Sequence, residues 1–523
     1  MTQRLESRLN KILLTFYKAG KIDKNVYDNL RAIGSSPGKL YGLPKTHKTG
    51  VPLRPILSAV TCHNYKLAKF LAPLLSPLAA SEYTVSDVFS FCKEIQHRVD
   101  LNRKLMISLD IESLFTNVPV AETIDIILSK LFTSDSCIYH GFNRKDFQTL
   151  LQLAVADSYF SFNNKLYKQT EGMSMGSPLG PLFANIFLSH YESQWLQDSP
   201  VKPILYKRYV DDTLWLLPAN ADIPSLMRFM NSRHANMRFM YETESNDCIS
   251  FIGVTITHSL SDNNLHGYQT SVYMKPTSTS LFTNYNSFTP LVYRLSVFRC
   301  LLYRAYHLCS SWSLFHIEIG NIRSMIIRNA YPSWVLDRII KRSVNDFIHR
   351  NVQYGPNKER LYIGLPFLGS VTDQLRRSIK QINKQFMPHK DVIVYFKPGL
   401  RVSNFFRIKD NTPFELRSHV VYQFTCAGCN SSYIGQTSRH LRHRIAEHTG
   451  VSHLTGNMMK SRLHSNIRDH CSQCTGSECS ARHFKIVARG STELELLVKE
   501  RLLITREKPG LNGNSGSFEL LLA

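Results

Sequence analysis

The chain has 523 residues, 43% of them hydrophobic, and a formal charge of +23 from 63 Lys and Arg against 40 Asp and Glu. That length predicts two or three domains with sizeable cores. The cationic surplus points to a polyanionic partner, nucleic acid ahead of an anionic membrane surface, and no apolar run approaches the ~18 residues a membrane-spanning helix needs.

In chain order, residues 1–36 read as two helices that end at Gly34-Ser35-Ser36-Pro37-Gly38; the basic first stretch contains Glu6 and lacks the apolar core of a signal peptide. Prolines then force extended backbone through Gly42-Leu43-Pro44-Lys45-Thr46-His47-Lys48 and Pro52-Leu53-Arg54-Pro55. Lys45, Lys48 and Arg54 make this a cationic loop, suited to a triphosphate or equally to a solvated surface. Helices follow around Tyr65–Leu71 and from Ser86. Leu105 to Leu109 is an apolar strand that ends in the acid Asp110 and turns into a helix through Asn117 and Pro119. Residues 121–163 read as mostly helical. The run Gln169 to Pro181 is glycine-rich, which lets another backbone or a base come close; Ser177-Pro178 resembles a helix start, and an apolar helix runs from Leu182 to Tyr191.

Tyr209-Val210-Asp211-Asp212 lies between two β-favouring flanks, so a hairpin with both acids at its tip is expected. Aspartates also suit ordinary turns, and the pair alone does not decide between the two. Short strands are expected at Phe251–Val254 and Ser271–Thr277. From residue 290, Tyr293, Arg294, Arg299, Tyr303, Arg304 and His307 interleave with apolar positions at helical spacing, which suits a nucleic-acid duplex or a bundle with a solvated face. Residues 386–418 read as a loose connector. Six of the 11 cysteines are scattered from Cys62 to Cys309. The other five crowd between Cys426 and Cys479 among histidines, which reads as metal binding rather than disulfides.

Taken together, the Arg54 segment, the Asp110 segment, Glu171 to Pro181 and Tyr209-Val210-Asp211-Asp212 resemble, in this order, the reverse transcriptase signature. The wording of Gly42–Lys48, Leu109-Asp110-Ile111-Glu112-Ser113-Leu114-Phe115-Thr116-Asn117-Val118-Pro119, Met175-Gly176-Ser177-Pro178-Leu179 and Asn329-Ala330-Tyr331-Pro332 is similar to the Penelope-like retroelements. The resemblance implies a nucleotidyl transferase with two Mg²⁺ ions ~3.5–4 Å apart. Oxygen ligands would come from Asp110, the Ile111 carbonyl and Asp211, with Asp212 as a supporting ligand. It further implies that Phe115 packs under the sugar, Arg54 and Lys45 hold the incoming dNTP, Gly176 and Ser177 face the template base or nucleotide, and Lys275 lies near the primer. The family usually carries a longer region upstream, so the chain reads as a truncated copy or a fragment.

The last hundred residues carry a second resemblance. Val420-Val421-Tyr422, Ser432-Tyr433-Ile434-Gly435, a helix with Leu441, Arg444, Ile445 and His448, then Glu500 and Asn512, resemble the GIY-YIG nucleases. The implied roles are Tyr422 and Tyr433 as motif tyrosines, Arg444 on the phosphorane charge, His448 activating water or orienting Tyr422, Glu500 as the ligand of one Mg²⁺, and Asn512 closing the motif. Cys426-x-x-Cys429 with two later ligands suits structural Zn²⁺; His470 and His483 are the chosen pair, Cys471 and Cys474 the rival.

The fold class expected is α+β: N-terminal helices (1–37), a right-hand polymerase with fingers and palm (38–290), a helical thumb (291–385), a connector (386–418) and a small α/β GIY-YIG domain (419–523). The expected activity is RNA-directed DNA synthesis primed from a cut made by the chain's own endonuclease, with template RNA, target DNA and primer as partners, in the nucleus. A telomerase-like end-extending enzyme and a non-catalytic nucleic-acid-binding protein are the other readings.

Overall fold

The computed structural model describes residues 2–46, 49–98, 104–134, 136–258, 268–349, 359–397, 405, 412–452, 457–458, 465–474 and 479–513. The chain opens with α1 (Thr2–Lys18) and α2 (Lys24–Leu30). Leu9, Leu13 and Phe16 share a buried face of α1, and the Asp23 side chain caps α2 by accepting from the Val26 amide. The proline-bearing segment forms an antiparallel hairpin of β1 (Gly38–Pro44) and β2 (Leu53–Ser58).

Next come α3 (Tyr65–Leu75), α4 (Val88–His97), β3 (Leu105–Ile111), α5 (Leu114–Asn117), α6 (Val120–Leu131) and α7 (Arg144–Val155). They are followed by β4 (Tyr159–Phe162), β5 (Lys165–Lys168), α8 (Gly180–Asp198), β6 (Leu205–Tyr209), β7 (Asp212–Leu217), α9 (Ile223–Ser232) and β8 (Phe239–Thr243). Two four-stranded sheets result, an outer one in the order β2-β1-β4-β5 and a central one in the order β6-β7-β3-β8. The two-residue period of a strand divides the central sheet between two cores. Ile107, Leu109, Trp215 and Leu217 join α6 and α8 on one face, while Met106, Leu214 and Leu216 join α4 on the other.

The mostly helical reading of 121–163 fails at its end, because 159–168 is a hairpin. Asn163 and Asn164 both take positive φ, 50° and 60°, the conformation of a type I′ turn. Asparagine tolerates it, but Asn-Asn is a quieter signal than Asn-Gly.

Beyond the central sheet, β9 (Cys248–Phe251), β10 (Val254–His258) and β11 (Tyr268–Val272) form an antiparallel meander; Tyr273 to Thr277 lie outside it. Three helices follow, α10 (Leu291–Leu308), α11 (Trp312–Arg328) and α12 (Ser333–His349). They share a core of Phe298, Leu302, Phe315, Ile322 and Leu336.

The stretch read as helix then connector instead holds a parallel pair, β12 (Glu359–Pro366) and β13 (Lys390–Lys397), joined by the crossover helix α13 (Ser370–Phe386). Val392, Val394 and Phe396 give β13 its alternation, which the flanking lysines obscure in the sequence.

The C-terminal module contains β14 (Val420–Thr425), β15 (Ser432–Thr437), α14 (Leu441–Thr449), α15 (Asn466–Gln473), β16 (Phe484–Arg489) and α16 (Glu493–Glu507), with strand order β15-β14-β16. It is tied to the N-terminal segment. The Ser418 hydroxyl donates to the Gly34 carbonyl at 2.7 Å, His440 Nε2 bonds the Ser35 carbonyl at 2.7 Å, and Gln3 Nε2 meets His443 Nε2 at 2.6 Å.

Candidate functional site

β3 and β7 run antiparallel in a register that sets Asp110 opposite Asp212, and the Ile111 amide donates to the Asp211 carbonyl at 3.2 Å. The hairpin that presents Asp211 and Asp212 turns at Val210, whose φ is 58°. Left-handed backbone on a β-branched residue is strained and needs support. The support is Arg208, fully buried, whose guanidinium donates to the Val210 carbonyl at 3.2 Å, to Asn185 Oδ1 at 2.7 Å and to Ser189 Oγ at 3.1 Å. Arg208 also pairs with the buried Glu192 carboxylate, which Tyr206 joins with a 2.9 Å hydrogen bond.

Asp212 keeps an open edge to solvent. Burial by the surrounding atoms, followed by the charges of Asp211 and Asp110, nonetheless pushes its carboxyl up to about 6, and Lys275 pulls the other way. Carboxylates gathered this closely resist joint ionisation unless a cation sits among them. Hard oxygen donors of this kind fit Mg²⁺. The Ile111 carbonyl leaves the end of β3 beside them.

The glycine-rich run is a strap laid against β2 and α5. A Cβ on Gly176 would lie 2.0 Å from the Leu57 carbonyl, and one on Gly172 would lie 2.2 Å from the Thr116 carbonyl. The Met173 amide donates to the Phe115 carbonyl at 2.6 Å, and the Phe115 ring would stand 3.7 Å from a Cβ on Gly180. Phe115, Gly176 and Ser177 are thus brought into one layer beside β3. The helix expected to start at Ser177-Pro178 starts at Gly180, with Pro181 in its first turn; the Ser177 hydroxyl accepts from the Leu179 amide at 3.3 Å.

Lys45 and Arg54 share the outer end of the β1–β2 hairpin, Arg54 exposed and the Lys45 amide bonded to the Pro52 carbonyl at 2.9 Å. Lys48 lies outside the described residues. On α10, Arg294 donates to the Tyr285 carbonyl and Arg304 to the Gly253 carbonyl, so these two cations brace the fold, while Tyr293, Arg299 and Tyr303 stay exposed.

In the C-terminal module the resemblance-derived residues converge. Tyr422 Oη meets His448 Nε2 at 2.7 Å and accepts from Arg444 Nε at 3.0 Å; His448 Nδ1 bonds the Ser465 hydroxyl at 2.8 Å. The Tyr433 ring centroid is 6.4 Å from that of Tyr422 and 5.5 Å from that of His448. Glu500 is within electrostatic range of Tyr422, Tyr433 and Arg444, and burial raises its carboxyl. Asn512 holds Ile434 through both amide atoms, at 2.8 Å each. Burial lowers His448 to about 3 and raises Tyr422 well above its usual value. The imidazole is therefore neutral and the phenol protonated, so Tyr422 donates to Nε2 and His448 donates from Nδ1 to Ser465.

Among the described residues, Cys426, Cys429, His470 and Cys474 bring ligand atoms within 4.8 Å of one another. This corrects the expected set, in which His483 was the fourth ligand. His483 instead closes the capping box at Ser480 and packs edge-on to Phe424, with centroids 6.3 Å apart. The Cys426 and Cys474 sulfurs stand 3.9 Å apart, close to the ~3.8 Å edge of a tetrahedron with 2.3 Å zinc–sulfur bonds. Three thiols and an imidazole are donors that suit Zn²⁺, and hydrogen bonding to Ser431 already brings Cys429 down to about 6.

Residues 46–246 match the family model described as Reverse transcriptase (RNA-dependent DNA polymerase). This stretch is a reverse transcriptase domain. Residues 281–341, covering α10, α11 and the start of α12, match the Animal helix-turn-helix domain. No curated protein matches the chain. Among solved structures, telomerase from Candida albicans with a TWJ fragment of telomeric RNA is 12% identical at a TM-score of 0.41, over 62% of this chain and 61% of that one. The Sicinivirus 3Dpol RNA-dependent RNA polymerase is 14% identical at 0.40, over 61% and 71%. Apo telomerase from Candida tropicalis is 14% identical at 0.36, over 65% and 63%. The chain thus spans less than two thirds of these two telomerases.

Several residues of the reverse transcriptase domain and the C-terminal module escape sequence reasoning. Glu192 sits in an apolar helix with no local mark of its pairing to Arg208. Ser465 looks like any helix cap. Cys474 was visible as half of the rival pair.

Proposed function

We infer that the chain is an RNA-directed DNA polymerase joined to a GIY-YIG-type DNA endonuclease, and that it belongs with the Penelope-like retroelements, copying template RNA from a primer end cut in target DNA. The observation that carries the polymerase half is the opposition of Asp110 to Asp212 beside the Asp211 turn, inside the reverse transcriptase domain. Asp110, Asp211, Asp212 and the Ile111 carbonyl would hold Mg²⁺, which when bound supplies activation of the primer 3′-oxygen and neutralises charge on the triphosphate. Phe115 would pack under the sugar and exclude a 2′-hydroxyl, and the Gly176-Ser177 strap would face the template base or nucleotide. Lys45 and Arg54 would hold the triphosphate of the incoming dNTP, and Lys275 would lie near the primer strand.

The nuclease half rests on the Tyr422–His448–Arg444 contacts. Tyr422 would bind and orient the attacking water, its own hydroxyl held by the neutral His448, which Ser465 keeps oriented. Arg444, held by Glu447 at 2.8 Å, keeps a planar cation beside that phenol for the developing phosphorane charge. Glu500 would hold the single Mg²⁺. The Cys426, Cys429, His470 and Cys474 cluster would bind structural Zn²⁺. An open groove between α11 and α12, lined by Trp312, His316, Arg323, Arg338, Lys341 and Arg342, supports a grip on duplex nucleic acid. Work on genomic DNA would take place in the nucleus. No described helix is long and apolar enough to cross a membrane.

The test is primer extension on an RNA template and DNA nicking, measured on one preparation with Asp211→Asn and Glu500→Ala. Each variant is expected to lose one activity and keep the other. Extension surviving in Asp211→Asn, or nicking surviving in Glu500→Ala, overturns the corresponding half.

A further inference from the structure

A chamber of about 470 Å³ lies where the N-terminal segment, the outer sheet and the C-terminal module meet. None of its lining residues belongs to the Asp110 cluster, the Tyr422 cluster or the cysteine cluster. Three cations from distant parts of the chain line it, namely Lys39 on β1, Lys165 at the start of β5 and Arg442 on α14, and no carboxylate lines it among the described residues.

The chamber is held together by specific bonds. Lys39 pairs in register with Ser161 on β4, and the His440 ring bridges to the Ser35 carbonyl at 2.7 Å, which uses one ring nitrogen and fixes that wall. Arg442 is the unusual member. Its Nε is buried with no hydrogen-bond partner among the described residues, and burial lowers the guanidinium's affinity for its proton while Glu415 pulls the other way. A buried donor of a charged group left unmatched is costly. An anion in the chamber would match that donor and offset the positive charge that lines it.

The shape of the chamber narrows the anion. Its volume falls within the ~300–1,000 Å³ of small-molecule sites and far exceeds what a bare phosphate needs. Apolar surface from Pro37, Leu166, Pro413 and Leu416 supplies a face for a flat ring, and Gln3, Ser161 and Asn164 supply polar atoms for sugar hydroxyls and base edges.

We propose that this chamber is a second nucleoside-phosphate site, at the joint between the reverse transcriptase domain and the C-terminal module, with Lys39, Lys165 and Arg442 on the phosphate. The phosphate can belong to a free nucleotide or to the 5′ end of a nucleic-acid strand. Either occupant ties β1, the β4–β5 hairpin and α14 together, and so couples the positions of the two modules.

The experiment uses the full chain in buffer without added Mg²⁺ and without chelator, where Mg²⁺-dependent triphosphate binding is silent and the cysteine cluster keeps its metal. Fluorescence anisotropy follows two probes, N-methylanthraniloyl-ATP and a labelled hexathymidylate with either a 5′-phosphate or a 5′-hydroxyl. Saturable binding is expected, weakened about tenfold or more when Lys165→Ala and Arg442→Gln are combined, as loss of one or two charged contacts implies. A strand end as the occupant shows as tighter binding of the 5′-phosphorylated oligonucleotide in the parent chain and no such preference in the variant. A free nucleotide as the occupant shows as binding of the ATP probe alone. Lys165 is exposed, so its truncation opens no cavity, and primer extension in Mg²⁺ is expected to be unchanged in the single Lys165→Ala variant. Equal affinities in parent and variant for both probes overturn the proposal, as does displacement of the probe by inorganic phosphate as readily as by AMP.

Discussion

Asp110 and Asp212 face each other across the β3–β7 ladder, although everything from α5 to β6 lies between them in the chain. Burial and then the charges of Asp211 and Asp110 raise the Asp212 carboxyl, and this cluster is where the proposed divalent cation would bind. Replacing Asp110 or Asp211 by Asn removes a hard charged ligand while keeping the side chain's shape. Primer extension is expected to fall about 10³-fold or more, since several kcal/mol of charge stabilisation are lost, while filter binding of the template persists. Joint loss of both readouts would point to a folding defect and discard the ligand assignment.

Gly176 has no room for a side chain, because the Leu57 carbonyl occupies the position a Cβ would take. Gly176→Ala should displace the strap from β2 and cost about 1–3 kcal/mol, the range for overpacking. Urea denaturation measures this. Extension activity is expected to drop further than stability alone explains, because Ser177 moves with the strap.

The Arg208–Glu192 pair is buried on both sides and carries the strained Val210 turn. Arg208→Met leaves an unpaired carboxylate inside the domain and should cost about 3–5 kcal/mol. The double variant Arg208→Met with Glu192→Met should cost less than the sum of the two singles, and a double-mutant cycle by denaturation reads the coupling. Additive losses would show that the pair does not act as a unit.

Cys474, rather than His483, completes the cluster with Cys426, Cys429 and His470. Elemental analysis should find one zinc per chain in the parent and in His483→Ala, and little in Cys474→Ala. Chelation is expected to lower the melting temperature of the parent, since ligands gathered from β14's end to α15 fold with their metal.

His448 is held neutral in the folded chain to about pH 3, against an ordinary value near 6.5. As pH falls through this window the unfolded chain takes up a proton that the folded chain refuses, so stability declines from about pH 6.5 downward. His448→Gln removes that linkage. The melting-temperature advantage of the parent over the variant should be larger at pH 7.5 than at pH 5, and a pH-independent gap would contradict the buried Tyr422–His448 arrangement.

Much of this was readable before any tertiary contact was known. The acid at the end of an apolar strand, the hairpin at Tyr209 to Asp212 and the glycine strap are local features, and each sits where its residues predicted. The failures are also physical. The β4–β5 hairpin turns on two asparagines instead of a glycine, the alternation of β13 is masked by lysines, and α8 starts two residues later than its first proline suggests. Two arginines of α10 that looked free for a polyanion serve as donors to backbone carbonyls.

By itself the sequence determined which groups were available and what backbone each would sit on, because strand, turn and helix preferences act over a few neighbouring residues. Only the tertiary structure decided the partnerships: Asp110 with Asp212, Glu192 with Arg208, Cys474 in place of His483, and Arg442 turned into a chamber with Lys39 and Lys165. Those pairings depend on sheet register and on which faces pack together, and the free energy that sets them is spread over cores built from the whole chain.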